Sequence, residues 1–141
     1  VRSHDDEITE EVEVLVADTE GEFGLWYRLA PVTFLGGSLA GSGPERSPIE
    51  PAALGSAVIT GPKAGGAGDA IARLTEARAL RLVRTAESLG EAVSDLIAPD
   101  RAALLAHNAW VSLSGGADAA RAVAAAAVAA TDARTAVGAK S

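Results

Sequence analysis

Two four-residue segments of this chain place the same chemistry at the same spacing, Thr19-Glu20-Gly21-Glu22 and Ser47-Pro48-Ile49-Glu50. A hydroxyl followed three residues later by a glutamate fits the capping box, in which the two side chains satisfy backbone N–H groups at a helix start. Proline directly after the cap strengthens the second segment, because the first helical residue has no intrahelical use for its N–H. A helix start also presents free N–H groups and a positive dipole end, a setting that favours phosphate or carboxylate. Gly21 and the pair Gly36-Gly37, followed by Ser38, allow close backbone approach to such an anion, although ordinary turn chemistry accounts for the same glycines. Arg46, just before the second segment, is placed for charge-assisted pairing with a phosphate or carboxylate, or for plain solvation.

These residues need elements to hold them. Residues 12–17, 32–35, 57–60 and 80–83 are short apolar, β-branched runs of strand type. Helical spacing marks about 20–29, 48–54, 67–77, 87–97, 100–113 and 118–136, the last almost all alanine. Strands alternating with helices imply parallel pairing through right-handed crossovers, hence an α/β sheet with helices on both faces. In such a sheet ligands bind beyond the carboxyl ends of the strands, where both hydroxyl-to-glutamate segments fall.

Composition narrows the classes further. A chain of 141 residues, 48% hydrophobic, is one domain's worth. Residues 1–11 read as an acidic, flexible arm and 12–141 as the domain. With no cysteine there is no disulfide framework and no thiolate, so a reducing compartment is expected. A net charge of -7 argues against nucleic acid as a partner. The glycines at 61, 65, 66 and 68 lack the Lys-Ser/Thr ending of a P-loop. His4 and His107 form no metal spacing, Asp5, Asp6 and Glu7 read as solvated, and no Ser-His-Asp set can be argued. We therefore expect no metal, no cofactor and no catalytic residue within the chain itself.

Residues 14–30, Val-Leu-Val-Ala-Asp-Thr-Glu-Gly-Glu-Phe-Gly-Leu-Trp-Tyr-Arg-Leu-Ala, and the Gly36-Gly37-Ser38-Leu39 run after Leu35 resemble the C-terminal domain of the 3-deoxy-D-manno-octulosonic acid (Kdo) transferases. Ser47-Pro48-Ile49-Glu50-Pro51-Ala52-Ala53-Leu54-Gly55 and the later Gly61-Pro62 are similar to that family's N-P-L-E-P-A-A-x-G and G-P. The likeness covers about residues 12–97 well and the alanine-rich end loosely. It implies a Rossmann-like fold, the nucleotide-binding domain of an inverting B-type glycosyltransferase, here incomplete. The family moves Kdo from CMP-Kdo to a lipid A precursor at the cytoplasmic face of the bacterial inner membrane.

Carried across, the resemblance makes Glu20, Gly21, Glu22, Ser47, Pro48, Ile49 and Glu50 nucleotide-binding, with Gly36, Gly37, Ser38 and Arg46 as phosphate or donor contacts. Glu50 could then accept from ribose hydroxyls, which competes with closing its capping box. The family's base, acceptor site and membrane anchor belong to an N-terminal domain, so the piece is expected to be inactive alone. Arg46-Ser47 stands where the family has His-Asn, and residues 63–68 replace its H-x-F-N-F. A B-type enzyme using a UDP or GDP sugar, or a degenerate interaction module, are the competing readings. An open sheet edge further suggests self-association of the piece.

Overall fold

The computed structural model describes residues 9–115. The helix expected at 118–136, the residues 1–8 of the acidic arm, and His4 lie outside the described residues. The elements run α1 (Phe23–Leu29), β1 (Val32–Phe34), α2 (Ile49–Ala53), β2 (Ala57–Thr60), a 3₁₀ turn (Gly65–Ala67), α3 (Gly68–Glu76), β3 (Leu80–Leu82), α4 (Ala86–Leu96), and a further helix, α5, over residues 99–115. Among the described residues three strands form one sheet in the order β1-β2-β3, and both pairings are parallel. Val32 lies beside Ala57, and Val58 beside Leu80.

β2 is the centre, all four residues buried, whereas β1 at the edge is only half-buried. The side chains of β2 alternate between two cores, as the strand period of two requires. On one face Val58 packs with Leu35, Ala52, Ile71 and Leu74, so α2 and α3 cover it. On the other, Ala57 and Ile59 pack with Val83, Ala92 and Leu96 of α4 and its approach. Helix α5 serves both, giving Ala102 and Leu105 to the second core and Ala109 and Leu113 to the first. This is the open parallel sheet with helices on both faces that the alternation implied, in the Rossmann-like form that the resemblance implied. No helix among the described residues is long and apolar enough to cross a membrane.

One expected strand does not form. Residues 12–17 run without strand or helix structure, and Val12, Val14 and Val16 are 40%, 80% and 54% exposed. Their β-branched pattern supplies only half of a strand, since the other half is a partnered edge, and β1 pairs with β2 alone among the described residues. The helix ends explain themselves locally. α2 closes with Gly55 at φ +93° and the Ser56 N–H on the Pro51 carbonyl. α3 closes in the same way with Arg78 at φ 53°, although arginine is costly there. The side-chain amide of Asn108 on α5 donates to the Arg78 carbonyl at 3.0 Å, so that polar residue is a tie between helices.

Candidate functional site

Neither hydroxyl-to-glutamate segment closes a capping box. At α1 the helix begins at Phe23, three residues later than expected, because Gly21 at φ +83° turns the chain first. Glu22 becomes the cap through its carbonyl, which accepts from Leu25 and Trp26 N–H, and Thr19 donates its hydroxyl to the Glu22 carboxylate. At α2, Ser47 Oγ accepts the Ile49 N–H at 3.2 Å and Pro48 already has helical dihedrals. Glu50 does not reach back to the Ser47 N–H; its exposed carboxylate makes no hydrogen bond within the described residues. The competition over Glu50 is thereby resolved against the capping box.

The two starts converge. α1 packs on α2, and a cleft of about 340 Å³ opens between them, lined by Glu20, Gly21, Phe23, Gly24, Arg46 and Glu50. The N–H groups of Phe23 and Gly24, in the first turn of α1, have no intrahelical acceptor. Arg46 is held over the Phe23 ring, its guanidinium carbon 3.4 Å from the centroid. Such stacking contributes about 0.5–1 kcal/mol at an exposed site and leaves the guanidinium N–H groups free to bind. Behind the cleft, the buried Tyr27 stacks obliquely on Phe23 with centroids 6.1 Å apart. Its phenol is pushed above the usual value of 10.0, first by burial, then by Glu50, with Arg46 acting the other way. The titration of Tyr27 thus reports on both charges beside it.

Of the residues singled out in the sequence, the cleft gathers Glu20, Gly21, Arg46 and Glu50. Glu22 is half-buried against Thr19, and Ser47 is exposed and outside the cleft's lining. Pro48 is buried and Ile49 packs against the core, so these two position Glu50 rather than face the cleft. Gly36 and Gly37 line a second, larger groove of about 680 Å³ beside β1, which shares Phe23 and Arg46 with the cleft. Ser38 lines neither. It is fully buried, with Oγ donating to the Leu35 carbonyl at 2.5 Å and accepting the Gly61 N–H at 2.8 Å, and its own carbonyl takes the Lys63 N–H. Ser38 therefore pins the loop that carries Arg46 to the end of β2.

Glycine contacts complete that pin. A Cβ on Gly61 would lie 2.3 Å from the Ser38 carbonyl oxygen, and one on Gly43 would lie 2.4 Å from the Gly65 nitrogen. The glycines at 61 and 65 thus serve backbone packing between two loops rather than a phosphate loop. Phe23 and Tyr27 are the site residues that the motif reading passed over, although their i, i+4 spacing places them on one helix face.

No family model matches the chain. In fold and sequence it is similar to the crystal structure of the C-terminal CMP-Kdo binding domain of WaaA from Acinetobacter baumannii, with a TM-score of 0.73 and 28% identity. The match covers 79% of this chain and 58% of that one, so the chain spans less than two thirds of the solved domain's length.

Proposed function

We propose that this chain is the donor-binding portion of a glycosyltransferase that moves Kdo from CMP-Kdo to a lipid A precursor at the inner face of the bacterial inner membrane. The observation that carries the reading is the cleft in which two separate loops bring Arg46, Glu20, Gly21 and Glu50 together beside the α1 start. Its groups suit a nucleotide with an anionic sugar. The free N–H groups of Phe23 and Gly24 and the stacked Arg46 are donors for the phosphate, whose charge grows as CMP leaves. Glu50, released from capping, is an acceptor for ribose hydroxyls, and Glu20 is a second carboxylate at the same opening. Glu22, Ser47, Pro48 and Ile49 shape the two turns, and Gly36 and Gly37 leave room where the donor sugar would extend. The base and acceptor site come from outside this chain, which alone binds donor and transfers nothing. The likeness to a CMP-Kdo binding domain supports CMP over other nucleotides.

A thermal-shift panel of CMP, UDP and GDP tests this. CMP alone should raise the melting temperature, and both Arg46→Ala and Glu50→Gln should abolish the rise. Stabilisation by UDP or GDP instead would replace the donor, and no response to any of the three would make the domain an interaction module.

A further inference from the structure

Helix α5 is apolar on two sides. One side carries Ala102, Leu105, Ala109 and Leu113 into the two cores. The other, at the i, i+3, i+4 and i+7 spacing of a single helix face, carries Ala103, Leu104, His107, Trp110 and Val111. All five are exposed, Leu104, Trp110 and Val111 by 59%, 62% and 51%. Isolated apolar side chains at a surface need no explanation, but an indole, a leucine and a valine on one face form a patch, and a helix apolar on all sides belongs in an interior. The helix cannot roll to hide that face. The Asn108 amide ties it to the Arg78 carbonyl, and Arg73 donates to the Ser112 carbonyl.

The sequence supplies a cover that matches this face in shape and charge. Gly116 and Ala117 follow α5, and after them comes the helix expected at 118–136, which lies outside the described residues. A connection of about two to five residues is what joins antiparallel helices in a hairpin. At about 1.5 Å per residue both helices climb equally from that connection, which brings Val123 level with Trp110, Ala130 level with Ala103, and Arg134 within about one residue of Asp100. On a helix Val123, Ala127, Ala130 and Arg134 share one face, while Arg121 and Asp132 turn away from it. Alanines opposite Leu104 and His107 let the two axes approach to about 8 Å, the near end of the usual range. Asp100 is exposed on the bare face of α5, whereas its neighbour Arg101 is already paired with Asp95.

We infer that residues 118–136 fold back antiparallel on α5 and cover Leu104, His107, Trp110 and Val111, with Arg134 paired to Asp100 at the far end. The chain thereby brings its own cover for the face that α5 leaves bare. A second copy of this chain, laying its α5 on the same face, is the competing occupant. The packing does not depend on the nucleotide reading and stands or falls apart from it.

The cysteine-free chain makes the test direct. In the full chain, Ala103→Cys with Ala130→Cys is expected to close an intramolecular disulfide under mild oxidation at least ten-fold faster than Ala103→Cys with Asp132→Cys, since only the first pair faces across the hairpin within disulfide reach. Disulfide-linked dimers, or equal rates for the two pairs, would overturn the docking. In the unaltered chain, amides 122–130 should exchange at least ten-fold slower than in a peptide of residues 117–141, and equal exchange would overturn it as well. Trp26→Phe leaves Trp110 as the sole indole. Acrylamide should then quench it at least three-fold less than in a peptide of residues 104–116, and equal quenching counts against any cover. In that background Arg134→Glu should raise the quenching and Asp100→Lys added to it should restore the original value, whereas no change in Arg134→Glu rejects the charge pair and its register.

Discussion

The start of α4 and the two helix starts beside the cleft look alike in sequence and behave oppositely. At α4, Thr85 accepts the Ser88 N–H at 3.2 Å while Ser88 Oγ accepts the Thr85 N–H at 3.0 Å, so the box closes on itself. Glu87 adds a carboxylate in the first turn, its pKa held below the usual 4.5 by its own backbone N–H and by the Thr85 hydroxyl. At α1 and α2 the hydroxyl-to-glutamate spacing is present, yet no such reciprocal bond forms. A helix start that serves only the fold consumes its own polar groups. The starts beside the cleft close no such box, leave the Glu50 carboxylate and the Arg46 guanidinium at the opening, and are held in place from a distance, by Ser38 and the glycine contacts.

The sharpest way to break this contrast is to strike the remote support. Gly61→Ala should cost about 3 kcal/mol in denaturant unfolding, because a methyl 2.3 Å from the Ser38 carbonyl forces two loops apart, and any CMP response should go with it. Ser38→Ala strands the buried Gly61 N–H and should cost about 2 kcal/mol, with the same loss of response. Thr85→Ala should cost about 1 kcal/mol by the same measurement and leave nucleotide binding untouched.

Glu50→Gln should do the reverse, changing stability by less than about 0.5 kcal/mol while removing the CMP response. Its structural signature is optical: Tyr27 is the only tyrosine, so ultraviolet titration reads it alone. The midpoint should fall in Glu50→Gln and rise in Arg46→Ala, because the first removes a charge that raises it and the second one that lowers it. The smallest effect belongs to acid. The lowered pKa of Glu87 means that its contribution is present above the unfolded value of 4.5 and is lost as pH falls through the folded value. Unfolding followed from pH 6 to pH 3 should show a slightly shallower loss in Glu87→Gln than in the unaltered chain.

What was legible in the sequence follows from the same division. β2 was readable at Ala57–Thr60 because a central strand is apolar on both faces and needs no knowledge of its neighbours. Residues 12–17 carry as strong a pattern and form no strand, since pairing is a property of two segments and a local pattern describes one. The meeting of Arg46, Glu20 and Glu50 was signalled by motif spacing, whereas the role of Ser38 was not. Its partner Gly61 lies 23 residues away, and nothing in a Gly-Gly-Ser run separates a loop pin from a ligand contact. Thr85 was passed over because the capping rule favours glutamate at the third position, where this helix uses Ser88. Phe23 and Tyr27 carry no motif of their own, and their place in the site shows only where the guanidinium of Arg46 lies on one of them.

Helix α5 gives Ala102 and Leu105 to one core and Ala109 and Leu113 to the other. During synthesis, β1, β2 and β3 therefore leave the ribosome before either side of the sheet can be sealed. Both faces close together when residues 99–115 arrive, so a chain stopped after Leu96 would expose two apolar surfaces at once and be a ready substrate for chaperones and proteases.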